Sequence, residues 1–353
     1  MTTTRPWLLY GANGYTGKLI AEEAVRRGHR PILAGRTADK VRPIAEQLDL
    51  PWSAFALDDI PTITSAIAGA DLVFLAAGPF VHTSERMVTA CIARGAHYVD
   101  VTGEIPVFAA TLDRDAEAKR GGVCLISGVG FDVVPTDCLA KYVADKLPDA
   151  RHLELAFAPG DQPSGGTAKT MFEMLRAGGL VRREGALVPA PLGGDVRKFR
   201  FVDRERTAVT VPWGDLETAY KTTGIPNIAV YMAQPAMQAR ALHFFGPALA
   251  SVMRSDRIRG AAQRWAERKI VGPDEAARAA GRSHVYACAR NADDVKVEAW
   301  LETAEGYAFT SKAAVLAVER ILAGSFTGAL TPALAFGADF VLEVEGSRRF
   351  DAL

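Results

Sequence analysis

The sequence predicts a doubly wound parallel-sheet α/β domain, followed by a second, α+β domain built on a mostly antiparallel sheet. Three observations carry that prediction. Over the first 135 residues, short runs that are apolar throughout alternate with segments of helical period, as strands covered by helices on both faces must. The first of these runs leads directly into Gly11-Ala-Asn-Gly14-Tyr-Thr-Gly17, which opens the first helical segment. After Pro135 the alternation gives way to strand-like segments of period two with few crossover helices. A chain of 353 residues suits about two domains of ~150 residues each.

The elements follow in order. Pro6 to Tyr10 is the first strand, stopped by Gly11, and Thr16 to Gly28 is a helix through Leu19, Ile20, Ala24 and Val25. Pro31 to Arg36 and Ala38 to Leu48 are the second strand and helix, Ser53 to Leu57 the third strand, and Asp71 to Gly78 the fourth. Ser84 to Arg94 reads as a helix, His97 to Thr102 as the fifth strand, Pro106 to Arg120 as a helix and Val123 to Ser127 as the sixth strand. Further on come a helix at Asp137 to Lys146 and strands at His152 to Phe157, Arg197 to Val202, Thr207 to Val211, His284 to Cys288 and Val295 to Leu301. Between them stand a helix at Thr167 to Ala177 and a helical stretch over Ala236 to Trp265. Arg254 to Arg282, rich in Arg and Ala, reads as a solvated helix face. The expected division is 1–135 for a dinucleotide-binding domain, 136–308 for a substrate domain and 309–353 for a segment that packs back on the first through the helix Thr310 to Leu322.

Composition narrows the class. Hydrophobic residues make up 49% and charged residues 23%, which excludes disordered, collagen-like and disulfide-scaffold proteins. Lys plus Arg equals 41 and so does Asp plus Glu, so the total charge gives no footprint for nucleic acid or an anionic membrane. A local basic patch is compatible with that sum. Cys91, Cys124, Cys138 and Cys288 lack metal-like spacing, and the first three sit in apolar runs, as buried reduced thiols do. The start carries no signal-peptide pattern, and no run reaches the ~18 apolar residues of a membrane helix, so a cytoplasmic protein without an integral membrane segment is expected.

The glycine loop carries the chemistry. A GxxGxxG run between a strand and a helix is the context of a Rossmann fingerprint. Gly11 permits the tight turn, Gly14 lets backbone approach a pyrophosphate and Gly17 lets helix and strand pack closely. Asn13, Tyr15 and Thr16 lie in the same loop, whose helix N-terminus offers free N–H groups to phosphate. The end of the second strand selects the cofactor. An NAD site places an acid there; this chain has Gly35-Arg36-Thr37, so Arg36 with Thr37 and Lys40 favours the 2′-phosphate of NADP(H) over NAD(H). Asp58 is a candidate acceptor for the adenine amino group or a helix cap. Ala77, Gly78, Pro79 and Phe80 end the fourth strand beside the nicotinamide ribose, with Phe80 as a candidate wall.

Glu104 and Asp132 emerge on the same edge of the sheet, as candidates to orient substrate or relay a proton, or as helix cap or salt-bridge partners. Ser164 to Lys169 resembles a phosphate loop loosely, with Lys169 as a candidate for an anionic substrate and Thr167 as the alternative cap. Tyr142 and Lys146 match YxxxK with Ser127 upstream, the proton-donor set of short-chain carbonyl reductases. Against that reading, Ser127 follows the sixth strand where the set needs the fifth, and Tyr142 fits an apolar helix stripe. The six histidines show no HxxxH or HExxH, so no metal site is expected.

Four stretches together carry a family resemblance: Gly11 to Lys18, Ala77 to Glu85, Gly95 to Glu104 and Gly130 to Cys138. With Ser164 to Lys169, Gly306 to Lys312 and Leu330 to Ala333, they resemble the saccharopine dehydrogenase-like oxidoreductases, and within them the trans-acting enoyl reductases. The resemblance implies an NADP-dependent enzyme that moves hydride to an activated double bond, with an enoyl thioester on a small molecule or a carrier as substrate. A saccharopine-type imine reductase, a non-catalytic NADP-binding sensor or scaffold, and the Tyr142/Lys146 carbonyl reductase are the alternatives. An exposed antiparallel sheet in the second domain would favour a homodimer.

Overall fold

Trp7–Tyr10 (β1), Ile32–Gly35 (β2), Trp52–Ala54 (β3), Leu72–Leu75 (β4), His97–Asp100 (β5) and Cys124–Ile126 (β6) pair side by side as parallel strands. The computed structural model describes residues 5–160 and 163–353. Met1–Thr4, part of the stretch read for a signal peptide, lie outside them. β1 and β4 are buried at every residue, because helices cover both faces of the sheet. The helices are Tyr15–Arg26, Ala38–Gln47, Ile60–Ala66, Ser84–Arg94, Ile105–Asp113 and Asp115–Arg120. The last two replace the single helix expected over Pro106 to Arg120, with a break at Arg114. Leu8, Tyr10, Val73, Leu75, Tyr98 and Leu125 belong to one buried cluster of this unit.

The strands lie in the order β6-β5-β4-β1-β2-β3, so chain order reverses between β1 and β4. Such a reversal opens a crevice at the carboxyl ends of the two strands, where open α/β sheets bind ligands.

Past the helix Val134–Lys146, His152–Ala158 (β7), Gly179–Arg183 (β8), Ala186–Ala190 (β9), Val196–Arg200 (β10), Glu205–Thr210 (β11), Asn227–Ala233 (β12), Arg282–Arg290 (β13) and Lys296–Ala304 (β14) build a second sheet. It is mostly antiparallel, with β7 and β12 parallel, in the order β10-β11-β12-β7-β13-β14; β8 pairs with β12 and with β9. Phe199, Phe201, Tyr231 and Tyr286 form an aromatic cluster of this unit. The helical stretch expected over Ala236 to Trp265 is two helices, Ala236–Met253 and Asp256–Lys269.

The chain then returns. Helix Gly306–Ala323 leads to Gly328–Leu330 (β15), which pairs in parallel with β6 as a seventh strand of the first sheet. Arg348–Phe350 (β16) instead pairs with β14 in the second sheet. The segment 309–353 therefore does not return as one piece. The first unit holds the chain up to Asp132 plus Tyr307–Ala335, and the second holds Val133–Gly306 plus Phe336–Leu353. The four cysteines are free and buried.

Candidate active site

β1 ends in Gly11, whose φ of +90° favours glycine. Its N–H donates to the Ala34 carbonyl at 2.8 Å, tying the loop to β2. A β-carbon on Gly11 would stand 2.7 Å from the Ala76 carbonyl carbon, so this loop and the end of β4 meet backbone to backbone across the crevice. A β-carbon on Gly17 would overlap the Gly11 carbonyl oxygen. The helix Tyr15–Arg26 starts from Gly14 with no side-chain cap, which leaves its first-turn N–H groups aimed at the place a phosphate would take. The Tyr15 ring meets that of Tyr307 edge-on at 4.9 Å.

The other half of the crevice lies past β2. Asn13 reaches over it, since a β-carbon on Gly35 would stand 2.9 Å from Asn13 Oδ1. Arg36, Thr37 and Lys40 are exposed there. The fields of Arg36 and Asp58 both reach the Tyr10 hydroxyl, which donates to the Phe55 carbonyl at 2.8 Å and is pushed up to about 12 by burial. Asp58 itself is exposed and is not the helix cap; Asp59 is, accepting from the Thr62 N–H at 2.9 Å.

Beyond β4 the peptide Gly78–Pro79 is cis and Phe80–His82 form a short 3-10 turn. Glu104, 2% exposed, holds that turn: its two carboxylate oxygens accept from the N–H groups of Phe80 at 2.8 Å and Val81 at 2.9 Å. Burial raises its pKa, and the two backbone donors oppose the rise. Phe80 belongs to the buried cluster of the unit, its ring edge close to Gly78.

Asp132 stands close by. A β-carbon on Gly103 would lie 3.2 Å from its Oδ2, and the preceding Phe131 N–H is fixed by the Thr310 hydroxyl at 2.9 Å. The half-buried Asp132 carboxyl is pushed up to about 7, first by desolvation and then by the charge of Glu104. Behind both lies a residue the sequence reading did not single out. Asp100, fully buried at the end of β5, accepts from the Thr102 and Gly128 N–H groups at 2.9 Å each and from the Tyr98 and Ser127 hydroxyls at 2.7 and 2.8 Å. It thereby ties the loop after β5 to the loop after β6. An acid closing the apolar run His97-Tyr-Val-Asp100 was the available signal.

Two expectations are corrected. Ser127 is committed to Asp100 and Thr111 in the first unit. Tyr142 is half-buried rather than core: in the second unit its hydroxyl donates to Asp351 at 2.8 Å, Lys146 donates to the same carboxylate at 3.1 Å, and Arg349 covers the ring at 3.5 Å. The tyrosine is therefore held by the C-terminal segment, and Ser127 belongs to the first unit while Tyr142 and Lys146 belong to the second. Lys169 belongs to the second unit, on the helix Gly165–Ala177, whose cap is Ser164 rather than Thr167. Among the described residues no His, Cys, Asp and Glu group could hold a metal ion.

Residues 7–126, the strands and loops that build this crevice, match the saccharopine dehydrogenase NADP-binding domain. The match covers 120 of the 353 residues. An NADP-binding domain agrees with Arg36 standing where an NAD site would carry an acid. A Mycobacterium tuberculosis protein assigned as a trans-acting enoyl reductase is 34% identical over 185 residues, 48% of this chain and 43% of the relative. A trans-acting enoyl reductase of Mycobacterium leprae is 33% identical over 138 residues, 37% of this chain and 33% of the relative. The matched stretches thus span less than half the length of these relatives. Saccharopine dehydrogenase (L-Glu forming) from Saccharomyces cerevisiae shares the fold, with a TM-score of 0.66 and 12% identity over 98% of this chain and 100% of that one.

Proposed function

We propose that this chain is an NADPH-dependent oxidoreductase that reduces an activated double bond, with an enoyl thioester as its substrate. The observation that carries the reading is the carboxyl edge of the first sheet. There an uncapped glycine loop, an exposed Arg36 and an Asp132 carboxyl titrating at about 7 follow the carboxyl ends of β1, β2 and β6. Gly11, Gly14, Gly17 and the first turn of Tyr15–Arg26 fit a pyrophosphate. Arg36, with Thr37 and Lys40, fits a 2′-phosphate. Ala77 and Gly78, the small residues past β4, would let the nicotinamide ribose approach. NADPH, when bound, supplies the hydride.

Reducing a C=C bond adds hydride to one carbon and a proton to the other. Asp132 is the group suited to deliver that proton, because a carboxyl titrating at about 7 still holds much of it at neutral pH. Glu104 is a positioning residue: it holds the Phe80–Val81 turn, and its charge keeps the Asp132 carboxyl weakly acidic. The names of the mycobacterial relatives support a C=C acceptor, carried on a small molecule or a carrier protein. The yeast likeness, one of fold, supports the competing acceptor, an imine.

Calorimetric titration with NADPH and NADH tests the cofactor half. NADPH is expected to bind far more tightly, and Arg36→Ala to weaken NADPH by about tenfold or more while leaving NADH little changed. Equal losses for both would sink the assignment. For the substrate half, NADPH oxidation by a crotonyl thioester is compared with oxidation by a keto acid and amine pair. Turnover of the second alone would replace the enoyl reading by the imine one.

A further inference from the structure

Helix Ala236–Met253 of the second unit is apolar on two faces. Ala239, Gly246, Ala250 and Met253 are buried, whereas Met237, Ala241, Phe244, Phe245, Ala248 and Val252 are all exposed. Steps of three and four set the exposed group in one stripe along about four helical turns. Phe244 is 73% and Phe245 69% exposed, far more than solitary surface apolar residues require. Helix Asp256–Lys269 follows after two residues and packs against the first. It adds exposed Ile258 and Trp265, seven residues apart and so on one face.

Charge is concentrated in the same place. The stretch 236–269 holds seven basic residues against two acidic ones, in a chain whose totals balance at 41 each. Arg240, Arg254, Arg257, Arg264, Arg268 and Lys269 are exposed. The seventh, Arg259, is buried and donates to Asp256 at 2.5 Å, so one of the two acids is already neutralised.

We propose that this helical pair docks on an anionic phospholipid bilayer. The apolar stripe would enter beneath the headgroups, with the long Arg and Lys stems carrying their charges to the phosphates. A helix stripe is convex, so its protruding phenylalanines suit a deformable medium. A second copy of the chain is disfavoured on charge, because a two-fold contact would set six exposed cations against the same six. The helix would lie along the surface; among the described residues, none is long and apolar enough to cross a membrane.

The test is flotation of the full chain with phosphatidylcholine vesicles, with and without phosphatidylglycerol. Binding is expected where the anionic lipid is present. Phe244→Ser combined with Phe245→Ser should weaken it about tenfold or more, and Arg254→Glu combined with Arg268→Glu should remove the preference for anionic lipid. Circular dichroism and melting temperatures matching those of the parent would certify that both variants fold. Three results overturn the proposal: no flotation with anionic vesicles, flotation indifferent to both double variants, or a sedimenting dimer that the serine variant dissolves. Binding to polyglutamate without binding to vesicles also overturns it, pointing to an acidic protein instead.

Discussion

Asp132 and Glu104 show what one carboxylate does to another when both leave water. At the end of its loop Asp132 is desolvated, and the neighbouring negative charge disfavours ionisation further, which brings its pKa to about 7. A proton donor must hold its proton, so kcat should be full below that value and fall about tenfold per pH unit above it. Asp132→Asn should lower kcat about 100-fold and flatten the profile. Glu104→Gln removes the neighbouring charge, so the fall should begin at lower pH than in the parent, and NADPH should bind less tightly as one of the two turn hydrogen bonds is lost. A pH–rate series on the three proteins checks all of this; identical profiles would remove both residues from the reaction. Glu104 and Asp132 were legible as acids at the carboxyl edge of a parallel sheet. Their division of labour was not, because the partners of Glu104 are backbone groups 23 and 24 residues earlier in the chain.

The glycine loop and the strand it follows form an element whose geometry ranks its own variants. Gly17→Ala puts a methyl group into the Gly11 carbonyl, backbone that cannot rotate aside, and should cost about 2 kcal/mol or more, or roughly 4–8 °C in Tm. Gly14→Ala meets its nearest atom, the same oxygen, at 3.2 Å, so a small adjustment relieves it and the main loss should fall on NADPH affinity. Thermal melting and titration of the two variants separate these effects; equal melting temperatures would contradict the packing. Strands and helices long enough to show a period were legible here, down to the stop at Gly28. β15 and β16 span three residues each and, unlike the equally short β3 and β6, lie outside the regular alternation of strand and helix that marks the first domain. β12 is different. Its run Asn227-Ile-Ala-Val-Tyr-Met-Ala233 carries an ordinary strand signal that the sequence reading did not use.

At the scale of the whole molecule, the first sheet is completed by residues far from its beginning. Helix Gly306–Ala323 buries Phe309, Val315, Val318, Ile321 and Leu322, its Thr310 hydroxyl fixes the backbone before Asp132, and its Glu319 accepts from Arg27 and contacts His29. That a C-terminal helix returns was legible from its apolar stripe. That the tail divides near Phe336 was not, because backbone pairing of β16 with β14 leaves no trace in hydropathy. At about 1.5–3 kcal/mol for each large side chain, the five buried apolar residues contribute of order 10 kcal/mol as an upper estimate. This is comparable to the roughly 5–15 kcal/mol that holds an ordinary domain folded. A chain ending at Gly306 keeps every residue of the glycine loop, with Arg36, Glu104 and Asp132 besides. It should nevertheless fail to bind NADPH and melt without a cooperative transition, because the loop takes its shape from a sheet that the last segment completes. Calorimetric titration and melting of the truncated chain measure this, and retained NADPH affinity would mean that residues up to Asp132 fold without the returning helix.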